Sequence, residues 1–197
     1  MLNKVITISR EFGSGGRTIG KEVAARLGIP CYDQEIIEKI AEESGLAKDF
    51  IKERGEYATG GNWFTNALSS QNHYGSSLQD KLWLIQRNLI LELAQKGPCV
   101  FVGRCADYIL KDKADCLKVF IHASMEKRID RIIHNYGESP DAPEKRLKDK
   151  DKRRRAYYQL YTDSEWGLAK NYDISLNSGT LGMDKCIDIL SDLYQSK

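Results

Sequence analysis

The sequence predicts an α/β fold in which a parallel sheet carries helices on both of its faces. Three observations lead there. Short apolar, β-branched runs alternate along the chain with amphipathic helical patterns, the order that produces right-handed βαβ units. Two of those runs, Cys99–Gly103 and Cys116–His122, are apolar at successive positions, as strands covered on both sides must be. The first run, Val5–Ile8, passes directly into a glycine-rich turn and then a helical pattern.

In chain order, the opening strand is followed by a helix over Thr18–Leu27, with Ile19, Val23 and Leu27 on one face and Gly28 as its stop. Ile29–Tyr32 reads as a short extended segment, and Gln34–Glu43 as a helix with Ile36, Ile37 and Ile40 inward. Residues 55–77 are rich in Gly, Asn and Ser without a period; a loop that long is usually functional. Leu78–Lys96 is a long amphipathic helix ended by Gly97-Pro98, and it leads into the strand at Cys99. After the strand at Cys116, Ser124 is placed to cap a helix reaching about Tyr136. The segment Glu138–Pro143 breaks the pattern, and a very basic helix follows over Glu144–Tyr161. Tyr172–Leu176 is the last strand and Asp184–Tyr194 the closing helix, with Cys186, Ile189, Leu190 and Leu193 on one side.

A chain of 197 residues with 41% hydrophobic content suffices for one domain with a sizeable core. Its net charge of +2 argues against a polyanionic partner, so a nucleic-acid role is disfavoured and any basic function must be local. No apolar run reaches the ~20 residues needed to span a bilayer, and no signal-peptide pattern opens the chain, so a cytoplasmic protein without a membrane role is expected. Five scattered cysteines (Cys31, Cys99, Cys105, Cys116 and Cys186) with no CxxC pair read as reduced thiols rather than metal ligands.

In an open parallel sheet, ligands gather at the carboxyl ends of the strands. Those ends here deliver Arg10–Thr18, Gly103-Arg104 and His122. The first is a phosphate-binding pattern. Glycines let backbone N–H groups converge on an anion, and the following helix adds its unpaired amides and the positive end of its dipole. Against the spacing GxxxxGK[ST], Glu11 stands at the first Gly, Gly16 at the second, Arg17 at the Lys and Thr18 at the hydroxyl. A rival register, Gly15 to Gly20-Lys21, puts Glu22 where a hydroxyl should meet Mg²⁺ and starts well beyond the strand. The Arg17-Thr18 register is therefore preferred. Glu11 has two readings: it pairs with Arg10 or Arg17 and points outward, or it reshapes the site.

Two basic stretches lie on either side of the Pro-containing break. Lys127, Arg128 and Arg131 share one side of their helix, and Lys145–Arg155 carries eight basic residues interrupted by Asp149 and Asp151. Such a run can be a solvated face, or a helix–hinge–helix that closes over an oligophosphate. Tyr157, Tyr158 and Tyr161 would stack on a base or pack in the core.

Together these pieces resemble the nucleoside monophosphate kinases of the P-loop class, and specifically the cytidylate kinase-like family. The resemblance runs through the glycine loop, Tyr32-Asp33, Val102-Gly103-Arg104, the stretch Phe120–Arg131 and Asp151-Lys152-Arg153-Arg154. It implies a three-layer P-loop NTPase fold with a helical lid over 124–161 and a helical acceptor-binding insertion over 34–97, all within one kinase domain, 1–197. It further implies ATP and Mg²⁺ as cofactors and transfer of a phosphoryl group to a nucleoside monophosphate, CMP or dCMP first. Gly13, Ser14, Gly15, Gly16, Arg17 and Thr18 would hold ATP, with Thr18 on the metal. Asp33, Arg104, Asp151 and Arg154 would bind the acceptor, and Arg17, Arg128, Arg131 and Arg154 would act on the phosphates. The family's Asp after Gly-Arg is Cys105 here. A different small acceptor, or nucleotide sensing without turnover, are the competing readings, and a monomer or homodimer is expected.

Overall fold

A computed structural model of the chain describes residues 2–35, 37 and 76–196. The helix expected over 34–43 and the loop over 55–77 fall outside the described residues, apart from their outermost positions. At the centre of the sheet is strand β1 (Leu2–Arg10), flanked in parallel by β3 (Cys99–Val102) and β4 (Ala114–His122). The short β2 (Cys31–Tyr32) and β5 (Ile174–Asn177) form the edges, giving the order β2-β3-β1-β4-β5 with every pair parallel.

Alternation along β1 divides the core into two layers. Ile6 and Ile8 face α1 (Gly16–Leu27) and α7 (Met183–Ser196), packing with Ile19, Val23, Cys186 and Leu190. Val5 faces the other way, toward α2 (Ser76–Lys96) and the one-turn α3 (Ala106–Ile109), packing with Leu89, Ile90, Phe101 and Ala106. A third, aromatic cluster of Phe120, Tyr158, Trp166 and Tyr172 joins the carboxyl end of β4 to α5 (Pro143–Thr162), which follows α4 (Met125–His134). All five cysteines are free. Among the described residues no helix is long and apolar enough to cross a membrane.

The expected signals for helix ends operate. Gly28 adopts a left-handed conformation and its N–H bonds the carbonyls of Ala24 and Ala25, closing α1. Ser124 accepts a hydrogen bond from the Lys127 amide and so starts α4. Two boundaries near the glycine turn differ from expectation. Strand β1 continues to Arg10, paired opposite Ile121, and α1 begins at Gly16 rather than Thr18. The turn is therefore confined to residues 11–15, and Arg10 belongs to the sheet. Helix α3 and the similarly short α6 (Ser178–Leu181) were not foreseen, because one turn is too short to show a 3.6-residue period.

Helix α1 is set close against the sheet through Gly20, where an added Cβ would lie 2.8 Å from Val102 Cγ2 and 3.2 Å from Ile8 Cδ1. Gly20→Ala is expected to lower stability by about 1 kcal/mol in urea unfolding, with crowding outweighing the gain in helix propensity. Val102→Ala should cost less in that background than in the parent protein, because the new methyl fills the space vacated; equal costs would contradict the close contact.

Candidate active site

Residues 11–15 turn at the carboxyl end of β1 and deliver the chain into α1. Gly15, at φ +82°, is the residue before the helix, in a conformation that a side chain would strain. Among the described residues no side chain caps α1, and its first turn contains no acidic residue, so the amides of Gly16, Arg17 and Thr18 leave the helix end open to an anion. Gly13, Ser14, Gly15 and Gly16 are buried, and Thr18 is half-buried. The turn closes on itself through Ser14, whose amide and hydroxyl both donate to the Glu11 carbonyl at 3.3 and 2.9 Å. From the far side Ser178, at the start of α6, donates its hydroxyl to the Ser14 carbonyl at 2.5 Å.

The outward carbonyls of this segment are held by arginines. Arg154 donates to the Arg10 carbonyl at 2.8 Å, Arg128 Nε to that of Phe12 at 2.7 Å, and Arg131 to that of Gly13 at 2.7 Å. Asp151 Oδ1 accepts from the Phe12 amide at 2.7 Å, while its other oxygen accepts from Arg128. Glu11 completes this network: Oε2 accepts from the Ala123 amide at 3.2 Å and lies 3.4 Å from Arg128. The partner of Glu11 is thus neither Arg10 nor Arg17 but Arg128, which replaces the first of the two readings offered by the sequence. The Phe12 ring is covered by Lys150 at 3.7 Å and Arg154 at 5.4 Å.

Spacing on α5 sorts its charges. Arg146, Lys150, Asp151 and Arg154 share the inner side with buried Leu147 and Tyr158, while Lys145, Lys148, Lys152, Arg153 and Arg155 are exposed. The reading of the run as a solvated face therefore holds for the outer side, while the inner side is turned to the protein. Tyr158 packs in the core and donates to the buried Asp107 at 2.7 Å. Burial holds that carboxyl above its ordinary range, and the Tyr158 bond works against the rise. The connection between α4 and α5 is tied down rather than loose: Arg146 donates to the carbonyls of Ser139 and Asp141, and both Arg146 and Lys150 pair with Glu138.

Arg17 is exposed, and its guanidinium donates to Asp33 at 2.8 Å and Glu35 at 2.5 Å. Those bonds, Glu35 foremost, raise its pKa. Asp33, at the end of β2, is buried and also lies 3.4 Å from Lys21. The sequence placed Arg17 on donor phosphates and Asp33 beside the acceptor; the structure joins the two to one another. Asp151, expected near a base, is joined instead to the loop.

Beyond β3 the chain passes through three left-handed residues, Gly103 (φ +80°), Arg104 (φ +62°) and Cys105 (φ +54°). Two of them carry side chains, a concentration of backbone strain typical of functional sites. Fully buried Gln86 of α2 supports the turn, its amide nitrogen donating to the Arg104 carbonyl at 3.2 Å and the Tyr157 hydroxyl at 3.0 Å. Its Oε1 has no partner among the described residues. Trp83 stacks on Tyr161 at 4.4 Å, with Tyr157 edge-on to Trp83 at 6.2 Å, forming an aromatic wall beside that turn.

Between the loop and this turn is Arg10, which sequence reasoning missed as a site residue. Burial, followed by the charges of Arg154, Arg104 and Arg17, pushes its pKa well below the ordinary guanidinium value. Arg154 is likewise lowered, to about 10, chiefly by burial and against the pull of Asp151. The only early signal was position: a charged residue at the carboxyl end of a central strand.

The Cytidylate kinase-like family model matches residues 5–180. The chain is 29% identical to a cytidylate kinase of Archaeoglobus fulgidus over 98% of its length and 95% of that protein's. It is 27% identical to a cytidylate kinase of Pyrobaculum aerophilum over 95% of its length and 91% of that protein's. Among solved structures, a protein from Eubacterium ventriosum superposes with a TM-score of 0.75 at 26% identity, covering 99% of this chain and 100% of that one. Shikimate kinase from Bacteroides thetaiotaomicron gives 0.52 at 16% identity with 98% of each chain covered, a likeness of fold. With a parallel sheet, a glycine loop and a family match over most of its length, this chain belongs to the cytidylate kinase-like family.

Proposed function

We propose that the protein transfers the γ-phosphoryl group of ATP to a nucleoside monophosphate, with CMP or dCMP preferred. One observation carries this reading: the Arg10 side chain runs from the first residue of α1 to Gly103 in the strained turn after β3, and feels the like charges of Arg154 and Arg104. Two phosphate groups meeting end to end need positive charge gathered in this way. Family membership and the cytidylate kinases among its relatives support the choice of acceptor.

The donor fits the loop because the left-handed Gly15 and the capless helix leave room and amides for a polyphosphate. Thr18, in the first turn, would hold Mg²⁺ through its hydroxyl; the ion's contribution is to neutralise charge on the donor phosphates. The acceptor phosphate would rest against Arg104 and Arg154, and its base beside the wall of Trp83, Tyr157 and Tyr161. An oxygen of the acceptor phosphate attacks the γ-phosphorus as the bond to the β–γ bridging oxygen breaks, and ADP leaves with that electron pair. The attacking oxygen is already ionised, so no general base is required. Arg128, Arg131 and Asp151 act as positioning residues, because each is bonded to the loop backbone. The helices of 124–161 form the lid, and 34–97 the acceptor-binding insertion.

ADP release measured with Mg-ATP across a panel of monophosphates should be fastest with CMP or dCMP. Turnover with another acceptor class would redirect the assignment, and ATP binding without turnover on any acceptor would leave a sensor. Arg104→Ala should raise the acceptor KM at least tenfold while leaving the KM for ATP within about twofold; the reverse pattern rejects its role. Asp151→Asn keeps an acceptor for the Phe12 amide but turns an NH2 group toward the buried Arg128, which loses its carboxylate there. We expect a loss of about 2 kcal/mol in unfolding free energy together with a fall in kcat, and an unchanged Tm would contradict the coupling.

A further inference from the structure

The pattern GxxxxGK[ST] draws its phosphate-bridging cation from the start of the helix, yet α1 begins on a glycine and the arginine after it faces Asp33 and Glu35. The space that a side chain at the first helical position would occupy is filled by Arg10. A Cβ added to Gly16 would lie 2.6 Å from Arg10 Cβ and 2.9 Å from its Cγ. The same side chain ends over the turn after β3, where a Cβ on Gly103 would lie 2.1 Å from Arg10 Nη1. Arg10 thus runs from the mouth of α1 to the base of Arg104, a path open only because both positions lack a side chain.

We propose that Arg10 is the phosphate-bridging cation of this loop, supplied by the end of β1 in place of a side chain at the first residue of α1. The assignment rests on the reading of the loop as a donor-phosphate site. No carboxylate forms an ion pair with the Arg10 guanidinium among the described residues, whereas Arg17, Arg128 and Arg154 each have at least one carboxylate within 4.0 Å. The like charges of Arg154, Arg104 and Arg17 act on it more strongly than the opposing carboxylate of Asp33. A half-buried guanidinium in that position is stabilised by an anion shared with those neighbours. Its planar fork suits the oxygens of adjacent phosphoryl groups better than a point charge does. During transfer it would sit where negative charge moves between donor and acceptor, touching both without bonding covalently to either.

Calorimetric titration with inorganic tripolyphosphate, and separately with ATP, tests the assignment on Arg10→Ala, Arg10→Lys and Arg17→Ala. Arg10→Ala should weaken tripolyphosphate binding at least thirtyfold, Arg10→Lys by less, and Arg17→Ala by no more than about threefold. With CMP as acceptor, kcat for Arg10→Ala should fall by about 10³. Gly16→Lys should abolish binding through its collision with Arg10, and Arg10→Gly combined with Gly16→Lys should recover at least tenfold over Arg10→Gly alone. A larger loss for Arg17→Ala than for Arg10→Ala, or a double variant no better than Arg10→Gly, overturns the proposal. If the parent protein binds tripolyphosphate through Arg10 but phosphorylates no monophosphate, the assignment stands and the kinase reading falls. If Arg10→Ala binds as the parent does while turnover on CMP is intact, the kinase reading stands and the assignment falls.

Discussion

A loop that turns its amides toward an anion must turn carbonyls away from it, and those carbonyls need partners when the loop is covered by other elements. In this protein three arginines meet that requirement. Arg154, Arg128 and Arg131 bond the carbonyls of Arg10, Phe12 and Gly13, and Asp151 takes the Phe12 amide. Hydrogen bonds to a charged group contribute about 1.5–3 kcal/mol each, more than neutral ones, and losing one strands a partly buried polar group. The shape of the glycine loop therefore depends on α4 and α5, more than a hundred residues away in sequence.

That dependence explains why Arg128, Arg131 and Arg154, which read as phosphate ligands in the sequence, also bond the carbonyls of the loop. A run of arginines and lysines signals local positive charge, and the spacing on α5 even signals which of them face inward. What it cannot signal is whether an inward arginine meets a ligand or a backbone carbonyl, since both are oxygen acceptors of similar geometry. The strands, the helix stops and the Ser124 cap were legible because each is set by neighbours within about four residues. The Glu11–Arg128–Asp151 network was not, because its members come from three separate elements and are brought together only by packing.

Arg10 was hidden for a related reason. With the strand thought to end near Ile8, Arg10 read as the first residue of a flexible turn, and the basic residue of interest was sought at the start of the helix. Pairing with Ile121 extends β1 to residue 10 and fixes the direction of that side chain. Glycines 16 and 103 then acquire meaning beyond turn geometry, since each clears a path for the same guanidinium. A glycine at the mouth of a helix is best read together with whatever fills the space it leaves.

The same contacts constrain how the site can move. A helix–hinge–helix that swings over a ligand needs a compliant connection, yet Arg146 and Lys150 pin the segment around Glu138 to α5. Lifting α4 and α5 together would break the bonds to the carbonyls of Arg10, Phe12 and Gly13 in one step, part the Phe12 amide from Asp151 and leave Glu11 without Arg128. Five or so charge-assisted contacts, lost without replacement, would cost far more than a loop of this size can gain from one nucleotide. Motion about the inner face of α5 is therefore disfavoured, and the donor half of the site is preorganised before any ligand arrives. Adjustment to the acceptor has to come from elements that touch the loop less, such as the strained Gly103–Cys105 turn and α2, which carries Trp83. Preorganising charge on one side while leaving the other adaptable favours a fixed donor and a selected acceptor, the division of labour that the proposed transfer between two nucleotides requires.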